Sequence, residues 1–245
     1  MPAMIELLGV GEPREDGGWR LHRVCASFRR GEVTLVVSHL PEERDALLDA
    51  VAARIVPDEG RVWVSHVPVS RDTVRRIRAM VAEPEVHARP VDHRSLLWNV
   101  LVAGKSGHRA LPGLLRLPRK SERLAARRAL ERVGLAGREV ETASGLSPLD
   151  RARLALASAL INAPEVLVVR EIDRGFDGAD AAALRALLRS LALRERLAVL
   201  ASATTPAFAT DFADRLVAIA DGLLVFDGAP ADFSGQRVAW RFGTA

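Results

Sequence analysis

The plainest chemical potential in this sequence lies between Ser144 and Asp177, in SGLSPLDRARLALASALINAPEVLVVREIDRGFD. Val166 to Val169 is a short apolar run that reads as a buried strand, and it ends abruptly in charge at Arg170 and Glu171. General-base duty is chemically open to the Glu171 carboxylate. Ser147 stands where a loop opens a helix, and Asp177 closes the loop beyond the strand. The six histidines, His22, His39, His66, His87, His93 and His108, show no metal-ligand spacing among themselves, and no Ser-His-Asp arrangement stands out. No metal site is expected.

The elements that must position these groups are legible as alternating strands and helices. After the loop at Ser147, Leu154, Leu156, Ala157, Leu160 and Ile161 recur at helical spacing, and Pro164 marks the turn into the strand. Met4–Val10 and Trp19–Arg29 read as extended segments joined by the turn-rich GEPREDGG, and Gly31–Val37 as a buried strand followed by a helix through Leu47 and Leu48. Arg61–Val67 and Ile77–Pro84 read as further strands, Leu96–Gly104 and Ser121–Gly134 as helices. Ala181–Leu193 is predicted helical, Leu197–Ser202 extended, and Pro206–Phe212 a short helix. Leu216–Ala220 and Leu223–Gly228 form a hairpin around Asp221-Gly222. Ala103-Gly104-Lys105-Ser106 has the end of a phosphate-loop motif, but no glycine stands at Asn99 and no strand delivers it; it reads as a loop after a helix.

Composition sets the class. A chain of 245 residues, 49% hydrophobic and 27% charged, is an ordinary globular protein with length enough for a full core. No apolar run approaches the roughly 20 residues that span a bilayer, and the N-terminus lacks a basic segment followed by an apolar one, so a cytoplasmic location is expected. The single cysteine, Cys25, precludes an internal disulfide and is expected in the core. A net charge of +4 is carried almost wholly by arginine, Lys105 and Lys120 being the only lysines. The arginines are interleaved with acids, which points to solvated helix faces rather than nucleic acid.

The order of these elements resembles the ATP-binding subunits of ABC transporters, and within them those of phosphonate importers. The landmarks are Gly31 with Glu32, the Leu47 helix, Asn99, Ser147, Glu171, Asp177, and Asp214 with Arg215. The resemblance implies an α/β, P-loop NTPase-like ABC ATPase fold with an antiparallel β subdomain, the whole chain 1–245 forming one domain with a helical subdomain at about 85–160. The long basic loop Lys105–Lys120 resembles the extended helical subdomain of phosphonate importers, and the tail to Ala245 their terminal helix. Trp19 is a candidate for stacking on adenine, although a lone Trp in a strand also reads as packing.

The family's chemistry departs at the positions that would touch phosphate, metal or water. Where Gly-x-x-x-x-Gly-Lys-Ser/Thr is required, so that backbone N–H groups wrap the phosphates, the chain has Ser38-His39-Leu40-Pro41-Glu42-Glu43-Arg44-Asp45. Glu42, Glu43 and Asp45 would then face a triphosphate. One unit-charge repulsion at about 4 Å costs about 4 kcal/mol at an effective dielectric of about 20, against about 8 kcal/mol for a whole micromolar site. As the first turn of a helix, the same acids would complement its dipole. The signature motif becomes Leu146-Ser147-Pro148-Leu149-Asp150, the metal-binding aspartate becomes Arg170, the Q-loop glutamine Glu83, and the switch histidine Thr204.

The resemblance thus implies a vestigial catalytic Glu171, a degenerate nucleotide site at Arg44, Ser147 and Asp177, and a guanidinium, Arg170, held between Asp45 and Glu83 where Mg²⁺ would sit. The expected role is a non-catalytic subunit that pairs with itself or with a competent ATPase subunit and docks on a membrane permease, peripheral at the inner face of the membrane, possessing no cofactor in its own site and leaving ATP and Mg²⁺ to its partner. A divergent active ATPase and a soluble scaffold in an enzyme complex are the alternatives.

Overall fold

Three runs dictate the central sheet. Val33–Val37 (β3), Val166–Val169 (β7) and Ala198–Ala203 (β8) are buried at every residue, the mark of parallel strands covered on both faces. In the computed structural model, which describes residues 3–15, 17–106, 118–207 and 209–233, they lie together in register, Val37 beside Ala203 and Val169 beside Ala201. The sheet is completed by Val81–Ala82 (β6), Arg215–Ala220 (β9) and Leu223–Gly228 (β10), in the order β10-β9-β3-β8-β7-β6. All three buried strands therefore release their following loops at one edge, where open α/β sheets bind ligands.

A second, antiparallel sheet has the order β2-β1-β4-β5, built from Ile5–Pro13 (β1), Trp19–Phe28 (β2), Glu59–Val64 (β4) and Val67–Pro68 (β5). Helix α1, Pro41–Val51, buries Ala46, Leu47, Leu48, Ala50 and Val51. It packs on β2 and β4 of this sheet and on β9 of the other, so one apolar cluster serves both. Contacts divide the chain into two compact units. The first is Met1–Val81 with Glu165–Arg174 and Leu188–Ala245; the second is Ala82–Pro164 with Gly175–Leu187. In the second, Leu96–Ser106 (α3), Lys120–Arg132 (α4) and Pro148–Leu160 (α5) pack on one another. A Cβ on Gly104 would come within 3.0 Å of the Ile161 side chain, which is why α3 approaches that segment through a glycine. Among the described residues no helix is long and apolar enough to cross a membrane.

Several local expectations are corrected. Ile77–Pro84 is not a strand: Val74–Met80 is helix α2, and only Val81–Ala82 is extended. Ile77 packs into the core with Val74 and Met80 against it, a spacing of three that suits a helix face. Arg61–Val67 is broken by Ser65 and His66, whose φ values of 49° and 63° make a two-residue turn between β4 and β5. Cys25 is exposed rather than in the core, because Val24 and Ala26 take the inward positions of β2. Most of the loop 105–120 and the terminal helix fall outside the described residues.

The first unit is pinned by Arg215. Its guanidinium makes two bonds of 2.5 Å to Asp227, donates to the Ser27 carbonyl and lies over the Phe28 ring. Burial pulls its pKa down, but the bonds to Asp227 and the charge of Glu32 outweigh that and raise it, so the group stays charged. Replacing Arg215 by alanine leaves Asp227 without its bidentate partner and should lower stability by about 2 kcal/mol. Urea denaturation measures it; a loss below about 0.5 kcal/mol would show that the pair is only a surface ornament of the sheet.

Candidate functional site

The loop after β3 is short: β3 ends at Val37 and α1 begins at Pro41. Pro41 suits the first helical turn, where its missing N–H would have no partner in any case. Glu42 and Glu43 follow in that turn. The eight positions that would wrap a phosphate chain thus divide into three loop residues, Ser38–Leu40, and the first five of a helix.

The side chains of this turn are committed within the protein. Glu43 is fully buried; its carboxylate accepts from the Ser38 hydroxyl at 2.5 Å and from the Gly222 N–H at 2.8 Å. Gly222 sits with Asp221 in the β9–β10 turn at φ values of 76° and 53°, as a type I′ hairpin requires. A Cβ on Gly222 would lie 2.8 Å from the Trp19 carbonyl oxygen, so glycine alone fits there. Arg44 is also buried, and its guanidinium donates to the Ser38 carbonyl. Glu43 and Arg44, placed by the sequence where a triphosphate would lie, are both turned inward by the helix. Glu42 stays at the surface, 2.7 Å from Arg14 of the β1–β2 connection.

At the end of β7, Arg170 reaches two carboxylates of α1, Asp45 and Asp49, each at 2.6 Å. Asp45 was expected; Asp49 was missed, although its place one turn after Asp45 is a legible signal. Glu83 belongs to the second unit. Glu171 stands at φ 52°, an uncommon conformation for a residue with a side chain. It is held by its N–H donating to Ser202 Oγ at 3.0 Å, and its carboxylate accepts from Arg174 at 3.0 Å. Thr204, the residue in the switch position, donates its N–H to Asp173 at 2.8 Å. Trp19 lies flat on His22, with ring centres 4.8 Å apart and planes within 8°.

In the second unit, Ser147 caps α5, its hydroxyl accepting the Asp150 N–H at 3.1 Å. Asp150 lies between Arg138, at 2.7 Å, and Arg153, at 3.0 Å. The bond to Asp150, and after it that to Glu141, raises the Arg138 pKa. Asp177 accepts the Asp180 N–H at 3.0 Å, at the start of Gly178–Glu195 (α6). Ser147 and Asp177 therefore each serve as the cap of a helix. Asn99, another landmark, binds both the N–H and the carbonyl of Val91. Among the described residues there is no cluster of three or more His, Cys, Asp or Glu able to hold a metal ion.

No protein-family model matches the chain. Among individual proteins, the phosphonates import ATP-binding protein PhnC of Frankia casuarinae is 32% identical over 225 residues, spanning 89% of this chain and 87% of that one. The chain belongs to the ATP-binding subunits of ABC transporters. The phosphite import ATP-binding protein PxtA of Stutzerimonas stutzeri is 29% identical over 235 residues, covering 96% of this chain and 84% of the relative. Solved ABC cassettes share the fold. One is cbiO1 of Clostridium perfringens, with a TM-score of 0.82 at 18% identity over 98% of this chain and 92% of that one. Another is a nucleotide-free cassette, with 0.79 at 16% over 93% and 92%. The P-loop NTPase-like α/β fold expected from sequence is thus present in this ABC subunit.

The buried Glu43 makes a sharp test of the geometry. Glu43→Ala should cost about 2–3 kcal/mol, because it strands the Gly222 N–H and the Ser38 hydroxyl in the interior. Thermal denaturation of the purified variant measures this, and a stability equal to that of the parent would mean that the Glu43 carboxylate is solvated instead.

Proposed function

We propose that this chain is a non-catalytic ABC subunit that pairs with an ATPase subunit and docks on a membrane permease, in a transporter of the phosphonate and phosphite import type. It works at the inner face of the membrane, and ATP with Mg²⁺ belongs to its partner. The observation that carries the reading is the inward carboxylate of Glu43, in the turn where a phosphate chain would need backbone N–H groups. A triphosphate there would meet a helix turn with Glu42 and Asp45 beside it, while Arg44 is already engaged by the Ser38 carbonyl. These residues do not fit Mg²⁺ and a nucleotide.

Other features support the same reading. Arg170 supplies a fixed positive charge between Asp45 and Asp49, doing internally what a bound cation does between acids elsewhere. Glu171 keeps the position of a general base, but its carboxylate is paired with Arg174. The Ser147 hydroxyl is occupied as a helix cap. The type of transporter follows the relatives, which are phosphonate and phosphite import ATP-binding proteins.

The test is calorimetric titration of the purified chain with ATP and Mg²⁺, with phosphate release followed in the same sample. The reading predicts no saturable heat up to about millimolar nucleotide, a threshold corresponding to about 4 kcal/mol of binding free energy. Saturable micromolar binding would overturn it in favour of a divergent active ATPase.

A further inference from the structure

Alternation along β1 puts Ile5 and Leu7 in the core and Glu6 and Leu8 on the opposite, outer face of the antiparallel sheet. On that face the register sets Ser27, Glu6, Trp63 and Pro68 side by side across the four strands. Beside this row is a recess of about 240 Å³ lined by Ala3, Met4, Glu6, Trp63 and His66. Its backbone is fixed: the Met4 N–H donates to the Phe28 carbonyl, and the Met4 carbonyl accepts from the Ser65 N–H, both at 2.7 Å. His66 follows in the turn at φ 63°, with Ser65 at 49°. Asn and Gly fit such a turn most easily, so an imidazole is kept at the rim against a backbone cost. The acid in this recess is set apart from its counterparts. Other buried or half-buried acids of the first unit, among them Glu12, Glu32, Glu43, Asp49, Glu165 and Asp173, each accept from a donor of the protein. Half-buried Glu6 has neither a hydrogen bond nor an ion pair among the described residues, and the Trp63 indole N–H and the His66 ring have none either. Arg61, the next residue of β4 on this face, lies opposite Leu8 and makes no ion pair with Glu6.

From these open groups in one recess we infer that it binds a primary alkylammonium group. The Glu6 carboxylate and the His66 imidazole supply acceptors for its N–H donors, and an aromatic ring beside a carboxylate attracts a cation while offering its alkyl chain an apolar surface. The rivals fit less well. An anion would be repelled by Glu6. A metal ion would find at most Glu6 and His66, since no group of three or more such ligands occurs among the described residues. The recess is smaller than the roughly 300–1,000 Å³ of sites for drug-sized ligands, so its occupant is small: a free amine or the end of a lysine side chain. The inference is independent of the proposed function, because none of the residues argued there lies on this face.

The test is a nuclear magnetic resonance titration of the full chain that follows the Trp63 indole N–H, assigned by its disappearance in Trp63→Phe. Butylammonium should shift that signal saturably, with a Kd of about 1 mM. Butan-1-ol, which has the same chain without the charge, should not. Glu6→Gln should weaken butylammonium binding about ten-fold, with the remaining indole signals unchanged as the sign of an intact fold. The control Asp58→Asn removes an exposed acid of the same unit, and it should bind as the parent does. Nα-acetyl-lysine methylamide separates the two sources: tighter binding of this mimic assigns the recess to a protein lysine, and tighter binding of butylammonium assigns it to a free amine. Equal shifts with butan-1-ol, equal loss in the two acid variants, or no saturation by about 0.1 M amine would overturn the inference. Neither permease nor nucleotide is present, so failure here leaves the pseudo-ATPase reading to its own titration.

Discussion

The ion triad of Arg170 with Asp45 and Asp49 is the constraint on which the site depends. Two carboxylates one turn apart on α1 repel each other, and the end of β7 brings a guanidinium to 2.6 Å of both. In the ordinary ABC arrangement, that strand end carries an acid and a cation balances the charge. Here the sign of the strand-end residue is inverted, and the helix supplies the acids. The triad is a quarter to half exposed, so its net contribution is about 1–2 kcal/mol rather than the 3–5 of a fully buried pair. Its larger effect is positional: it ties the sheet edge to the helix that the phosphate loop would otherwise precede.

The remaining replacements are consistent with that tie. An early helix start at Pro41 shortens the loop, turns Glu43 inward and gives it donors from Ser38 and from the β9–β10 turn. Gly222 is required twice, by the sign of its φ and by the Trp19 carbonyl at its back. The bonds of Glu43 thus link α1, the loop after β3 and the last hairpin. The Ser38 and Arg44 contacts lie in the segment that would wrap the phosphates in the family's manner.

Much of this was legible in the sequence, and for identifiable reasons. Buried strands announced themselves as unbroken apolar runs, the Asp221-Gly222 turn as a dipeptide suited to positive φ, and the Arg170–Asp45 pairing as complementary charges at aligned positions. What escaped was decided by tertiary contacts. Nothing local says that Glu43 is inside, because its second donor lies 179 residues away. Nor does local pattern separate α2 from a strand, since Ile77, Val81 and Ala82 satisfy both periodicities until the core selects one. Cys25 was misplaced because the neighbouring Val24 and Ala26, rather than the thiol, fix which face of β2 turns inward. Asp49 was legible at helical spacing and was overlooked because the family pattern directs attention to Asp45 alone.

Hydrogen–deuterium exchange across Ser38–Asp49, with and without Mg²⁺ and ATP, tests most directly whether the protein's own side chains occupy this place. Slow exchange is expected at the amides of the first turns of α1 without nucleotide, and the same rates when nucleotide is present. Fast exchange that slows several-fold on adding Mg²⁺ and ATP would show a loop waiting for phosphate, and would contradict it.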